Sequence, residues 1–201
     1  MINRVPQLLI YFRLSAGLAL IVLSFLDITY YKIIAIILFS LGLVTDIFDG
    51  IIARHLNISS QFLRRLDSTV DQVFFVSVAI ASYIQCKEFF IDNKIHLSIL
   101  VGVEALTYVI SYSKFKKEVA THSIGAKIWT ISLFITMLAI ISTCQSTTWF
   151  SICFWLGIIT RIEIIAILFT LKHWTNDEPT LYHAILLRQG KTIKRHKLFN
   201  G

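Results

Sequence analysis

The chain has 201 residues, of which 56% are hydrophobic, and its mean hydropathy is +0.71. This composition excludes an ordinary soluble domain, and two prolines and eight glycines leave little room for a loop-rich fold. The net charge is +7, but the basic residues cluster in loops and at the C-terminus, which indicates membrane flanks and argues against a nucleic-acid partner. We therefore expect an all-α polytopic membrane protein, because a helix satisfies its own backbone hydrogen bonds in lipid.

Six hydrophobic segments follow a short N-terminal segment, residues 2–7, that we expect to lie at the membrane interface with Pro6 at a helix start. Each segment has close to the roughly 20 residues that span a bilayer. The predicted spans are residues 8–26, 29–46, 67–86, 95–113, 124–143 and 149–171. With a basic tail, residues 172–201, they form one predicted membrane domain, 1–201. The three cysteines show no metal-ligand spacing, so we expect them to be small apolar fillers.

The distribution of Lys and Arg predicts the orientation of the spans. Six spans place both termini on one side, and this side receives fifteen of the nineteen basic residues. The opposite side holds Lys32, Lys87 and Lys94, and Arg161 lies within a span. Positive charge is enriched on the cytoplasmic side of membrane proteins, so we expect both termini in the cytoplasm.

Four aspartates lie near the predicted cytoplasmic ends of spans two and three. They are Asp46, Asp49, Asp67 and Asp71. The first two are three residues apart and the last two are four apart, so each pair shares one helix face. A charged residue at mid-bilayer costs roughly 2.5–3.5 kcal/mol on insertion scales, and like charges repel. A divalent cation explains such a cluster, because hard cations bind oxygen ligands.

The run from residue 46 to residue 71 has the pattern Asp-x2-Asp-Gly-x2-Ala-Arg-x12-Asp-x3-Asp. It resembles the motif of the CDP-alcohol phosphotransferases, membrane enzymes of phospholipid synthesis, at seven of its eight fixed positions. The eighth position, a Gly in the family, is Leu63 here. The N-terminal run also resembles the family, and there we leave open whether Arg13 contacts substrate phosphates or extends to the interface.

The resemblance implies a reaction in which an alcohol displaces CMP from a CDP-linked lipid, with CDP-diacylglycerol the expected donor. It implies two divalent cations, Mg²⁺ or Mn²⁺, and a homodimer by analogy with relatives. The implied metal ligands are Asp46, Asp49, Asp67 and Asp71. Asp71 is also the implied base that accepts the proton of the alcohol. The implied nucleotide-binding residues are Gly50, Ala53 and Arg54.

The acceptor side is similar only in part to phosphatidylglycerophosphate synthases. The run at residues 126–130 retains Lys127 and Thr130 of their Gly-Lys-x-Lys-Thr segment, but it has Ala126 in place of the Gly and Trp129 in place of the second Lys. Val103 likewise replaces the Arg of their Arg-Glu pair. We expect Lys127, with Arg161 or Lys114, to bind the phosphate of the acceptor.

Several interpretations remain open from the sequence alone. The expected acceptor is glycerol 3-phosphate, with inositol phosphate, inositol, serine or another alcohol as alternatives. Lys127 also fits an ordinary juxtamembrane lysine, and Glu104 with Arg161 fits a structural ion pair. An ion or proton transporter would use intramembrane acids too, but the chain lacks an inverted repeat. An inactive scaffold relative is suggested only by Leu63.

Overall fold

The computed structural model describes residues 5–56, 61–117, 123–175 and 179–191. Regular secondary structure in these ranges is entirely helical, which confirms the expected all-α class. The described helices are α1 Val5–Ser24, α2 Tyr31–His55, α3 Gln61–Gln85, α4 Lys87–Asp92, α5 Lys94–Phe115, α6 Ile124–Thr143, α7 Thr147–Thr170 and α8 Leu181–Arg188.

Five of the described helices are long and apolar enough to cross a membrane, which confirms a polytopic membrane protein. They cover Val5–Ser24, Tyr31–Ile52, Lys94–Phe115, Ile124–Thr143 and Thr147–Thr170. The remaining predicted span lies in α3, which has 25 residues. Its N-terminal half contains Arg65, Asp67 and Asp71, and these charges make α3 more polar than the other five long helices.

The helix boundaries differ from the predicted ones around the acidic run. Residues 5–7 of the predicted interfacial segment belong to α1, whereas residues 2–4 lie outside the described part of the chain. Pro6 is compatible with this start, because the first turn of a helix needs no N–H donor there. Helix α2 continues to His55, beyond the predicted end at residue 46, and α3 begins at Gln61. The four aspartates therefore lie within helices.

The chain divides into two compact units, and the first comprises residues 1–91 and 137–145. In this unit α1 packs against both α2 and α3. Phe39 of α2 is fully buried, and its ring lies 5.9 Å from the rings of Phe74 and Phe75 of α3. Two glycines make room for Phe74, because a Cβ at Gly42 would overlap its ring and one at Gly17 would lie 3.1 Å from it.

A disulfide bond joins Cys86 to Cys144 at the end of the first unit where α3 terminates. The expectation that all three cysteines are apolar fillers is therefore wrong for these two, whereas Cys153 is a buried free thiol. The bond could not be predicted from spacing, because the two residues are 58 positions apart. At the same end, the side chain of Gln85 donates a hydrogen bond to the Ser24 carbonyl at 2.8 Å.

The second unit comprises residues 92–136 and 146–201. Helix α5 packs against α7, and α7 packs against α8. Gly157 permits close packing in this unit, because a Cβ there would lie 2.7 Å from the Trp129 indole nitrogen and 2.8 Å from Leu100.

Helix α8 belongs to the predicted basic tail, residues 172–201. Its residue Ala184 is completely buried against Ile167 and Leu171 at the end of α7. The described part of the tail is therefore docked on the helix bundle, and residues 192–201 lie outside the described part.

The glycine at position 42 gives a prediction about packing. In Gly42→Ala the new methyl group must displace the Phe74 ring, and overpacking of this kind costs about 1–3 kcal/mol. We therefore expect a lower thermal unfolding midpoint in detergent. Gly102→Ala is the matched control, because a Cβ at Gly102 meets no atom within 4 Å and alanine favours the helix. Equal midpoints for the two variants would contradict the packing described.

Candidate metal and phosphoryl-transfer site

Two helices position the four aspartates of the acidic run. Helix α2 carries Asp46 and Asp49, and α3 carries Asp67 and Asp71. The spacing of each pair turns both carboxylates to one helix face, as expected. Carboxylate oxygens of Asp46, Asp49 and Asp67 lie within 4.8 Å of one another, close enough to share a metal ion.

The guanidinium of Arg13 lies among all four carboxylates. Its Nη1 donates to Asp46 Oδ1 at 2.6 Å and is paired with Asp71. Its Nη2 donates to Asp67 Oδ1 at 3.0 Å and to Asp49. Each terminal nitrogen therefore bridges one carboxylate of α2 and one of α3, and α1 supplies the cation that holds the two acidic helix faces together.

The cluster is closed on one side and open on another. The side chains of Arg13 and Asp49 are 1% and 3% exposed, whereas those of Asp46, Asp67 and Asp71 are 31–35% exposed. The buried part gives a low-dielectric environment that strengthens the ion pairs. The open part leaves carboxylate oxygens accessible to an ion or to a phosphate-bearing substrate.

The contact between Arg13 and the aspartates was not predicted. The sequence had suggested that Arg13 contacts substrate phosphates or extends to the membrane interface. A signal was present, because an arginine in an apolar span needs a counter-ion, and the acidic residues in the first half of the chain besides the four aspartates are only Asp27, Glu88 and Asp92. The structure pairs Arg13 with those four carboxylates.

Leu63, the departure from the family motif, has a packing role. It is buried with Ile10 and Val70, and Leu14 and Leu66 complete the cluster. This contact fixes α1, the helix that carries Arg13, against the N-terminal half of α3. The larger side chain therefore stabilises the docking of α1 near the aspartates.

The structure describes the expected nucleotide-binding residues only in part. Gly50 follows Asp49 in α2 and is half-buried. Ala53 and Arg54 belong to the same helix, but their side chains lie outside the described part of the chain.

The residues expected to bind the acceptor phosphate all belong to the second unit. Arg161 of α7 forms an ion pair with Glu104 of α5, and its guanidinium lies 4.8 Å from the centre of the Trp129 ring. Lys114 donates hydrogen bonds of 2.9 Å to the carbonyls of Leu168 and Phe169, near the C-terminus of α7.

Lys127 lies in the first turn of α6 and is half-buried. The start of this helix is stabilised by Ser123, whose hydroxyl accepts a hydrogen bond of 3.1 Å from the Ala126 amide. The neighbouring Gly125 lies close to Glu163, because a Cβ there would be 2.9 Å from a Glu163 carboxylate oxygen. Lys127, Arg161 and Lys114 stay predicted acceptor residues, and Lys127 shares its helix turn with Gly125, beside which Glu163 of α7 lies.

The Glu104–Arg161 pair gives a prediction about stability. Arg161→Met leaves the partly buried Glu104 carboxylate without its cation, and we expect a loss of stability below the roughly 3–5 kcal/mol of a fully buried pair, because Glu104 is 34% exposed. Adding Glu104→Gln removes the stranded charge, so we expect the double variant to unfold at a higher temperature in detergent than Arg161→Met alone. Additive losses from the two substitutions would show that the groups do not stabilise each other.

The comparison with protein families matches a large part of the chain. The family model described as CDP-alcohol phosphatidyltransferase covers residues 3–172, which include all four aspartates and Arg13. No curated protein and no solved structure matches the chain at a significant level. The match covers far more than half of the sequence, and the chain therefore belongs to the CDP-alcohol phosphatidyltransferase family.

Proposed function

We propose that the protein transfers the lipid-bearing phosphate of CDP-diacylglycerol to the hydroxyl group of glycerol 3-phosphate and releases CMP. The observation that carries this proposal is the convergence of four carboxylates from α2 and α3 on one guanidinium at a partly open site. The family supports a CDP-alcohol phosphotransferase activity in phospholipid synthesis.

The four carboxylates fit a site for Mg²⁺ or Mn²⁺. Hard cations prefer oxygen ligands, and three of the aspartates already place oxygens within 4.8 Å of one another. Asp71 shares a nitrogen of Arg13 with Asp46, so it belongs to the same constellation. Divalent cations bound there would neutralise charge on the reacting phosphate and on the attacking and leaving oxygens.

Asp71 is proposed as the base of the reaction. The acceptor hydroxyl oxygen forms a bond to the lipid-bearing phosphorus, and the bond between that phosphorus and the CMP oxygen breaks. The hydroxyl proton passes to a carboxylate oxygen of Asp71, and CMP leaves with the electron pair. The side chain of Asp71 is partly exposed, which allows a hydroxyl group to approach it.

Binding of the two substrates is assigned to different helices. Gly50, Ala53 and Arg54 of α2 would bind the nucleotide, because small residues let it approach the backbone and an arginine pairs with phosphate. Lys127, Arg161 and Lys114 would bind the acceptor phosphate. The phosphate would exchange against the present partners of the last two, the Glu104 carboxylate and two helix-end carbonyls.

A cytoplasmic orientation of the aspartates is also proposed. The distribution of Lys and Arg supports it. The disulfide gives independent support, because disulfides persist in oxidising compartments. Along α3, Gln85 next to Cys86 lies about 21 Å from Asp71 at a rise of about 1.5 Å per residue, so the disulfide and the aspartates lie toward opposite membrane faces.

The activity can be tested with the purified full-length protein. CMP release from CDP-diacylglycerol is measured with Mg²⁺ or Mn²⁺ and, in turn, glycerol 3-phosphate, inositol phosphate, inositol and serine. We expect glycerol 3-phosphate to give the fastest release and EDTA to abolish it. Asp71→Asn should lower the rate by at least about a hundredfold, because it removes the proton acceptor.

Asp27→Asn is the matched control, because Asp27 is exposed between α1 and α2. It should leave the rate unchanged. If the folded protein releases no CMP with any of the four alcohols, the proposed reaction is wrong. Faster release with another alcohol would correct the acceptor and leave the reaction class intact.

The orientation gives a separate prediction about thiol labelling in intact cells. In a Cys153→Ser background, we expect a membrane-impermeant maleimide to label Cys144, the more accessible cysteine of the disulfide, from outside only after reduction with an impermeant phosphine. Lys191→Cys, in the exposed tail, reports the other side and should react only after permeabilisation. Labelling of Lys191→Cys in intact cells would contradict the orientation.

A further inference from the structure

Arg13 uses the same carboxylate oxygens that a divalent cation would need. Its two terminal nitrogens contact all four aspartates, and each nitrogen bridges α2 and α3. We propose that Arg13 is an exchangeable internal counter-ion, which competes with divalent cations for these carboxylates. The inference rests on the proposed function of the aspartates as metal ligands.

The charge balance favours exchange over a permanent ion pair. One guanidinium carries a single positive charge against four carboxylates, so Arg13 alone does not balance the charge of the cluster. Two divalent cations would neutralise four carboxylates completely. Arg13 would then add a surplus positive charge, and its attraction to the same oxygens would be lost.

The hydrogen bonding of Arg13 is incomplete in its present position. Its Nε is buried and has no hydrogen-bond partner in the described structure, although the residue is only 1% exposed. A buried donor without a partner is unfavourable, and the large majority of buried side-chain donors in proteins have an acceptor. In its present position the Arg13 side chain therefore leaves one N–H donor, at Nε, without an acceptor.

The surrounding packing allows the side chain to move without its helix. Ile10 of α1 is buried against Leu63 and Val70 of α3, less than one helical turn from Arg13. Gly17, one turn further along α1, packs closely on Phe74 and Ser77. These contacts hold the backbone on both sides of Arg13, so a competing cation needs to displace only a long, flexible side chain.

Competition predicts that loss of Arg13 strengthens metal binding. The full-length protein in detergent is stripped with EDTA, and Mn²⁺ is titrated while the signal of free Mn²⁺ is followed by electron paramagnetic resonance. We expect Arg13→Met to bind Mn²⁺ roughly tenfold more tightly than the wild type. Saturating Mn²⁺ should also raise the unfolding temperature of Arg13→Met more than that of the wild type.

Two further variants keep the test decisive. Arg13→Lys retains the charge, but its single nitrogen cannot bridge both carboxylate pairs, so we expect an intermediate gain in Mn²⁺ affinity even if Arg13→Met does not fold. Arg188→Met removes an exposed arginine of α8, to which no role in the site is assigned, and it should leave the affinity unchanged.

The outcomes separate this inference from the proposed function. If the wild type binds no Mn²⁺, the metal site itself is wrong. If the wild type binds Mn²⁺ but both Arg13 variants bind it equally or more weakly, Arg13 does not compete and instead positions the carboxylates permanently. A gain in affinity of the same size in Arg188→Met would attribute the effect to the lower positive charge of the protein as a whole and would also overturn the inference.

Discussion

The placement of four carboxylates inside a bundle of apolar helices is the constraint on which the first unit depends. Such a cluster cannot remain without positive charge, because repulsion and desolvation both act against it. The chain meets this constraint with Arg13, which contacts every member of the cluster. Three helices are thereby tied together at one point, and the same point is the proposed site of phosphoryl transfer.

The rest of the unit holds this point in place. Leu63, Ile10 and Val70 fix α1 against α3 beside the aspartates, and small residues let Phe74 pack deeper in the bundle. The disulfide closes the far end of the unit. The departure at Leu63 therefore strengthens the scaffold next to the site and does not alter the four acidic side chains.

The sequence was sufficient to predict the helical class, the membrane setting, the family and the grouping of the four aspartates at one place. These features depend on composition and on spacing within one or two helices. It was insufficient for features that depend on how distant helices meet. Arg13 contacts Asp71 only because α1 docks on α3 in one register, and Cys86 meets Cys144 across 58 residues. The predicted spans were also shorter than the helices, because α2 continues beyond residue 46 to His55 and α3 begins before residue 67, at Gln61.

The central claim is that the four aspartates form a divalent cation site from which Arg13 withdraws. The most direct measurement is an experimental structure of the protein with Mn²⁺, in which anomalous scattering locates the ion. The account predicts anomalous density bounded by oxygens of Asp46, Asp49, Asp67 and Asp71, with the guanidinium moved away from them. Density confined to another part of the protein, with Arg13 still bonded to all four carboxylates, would contradict it.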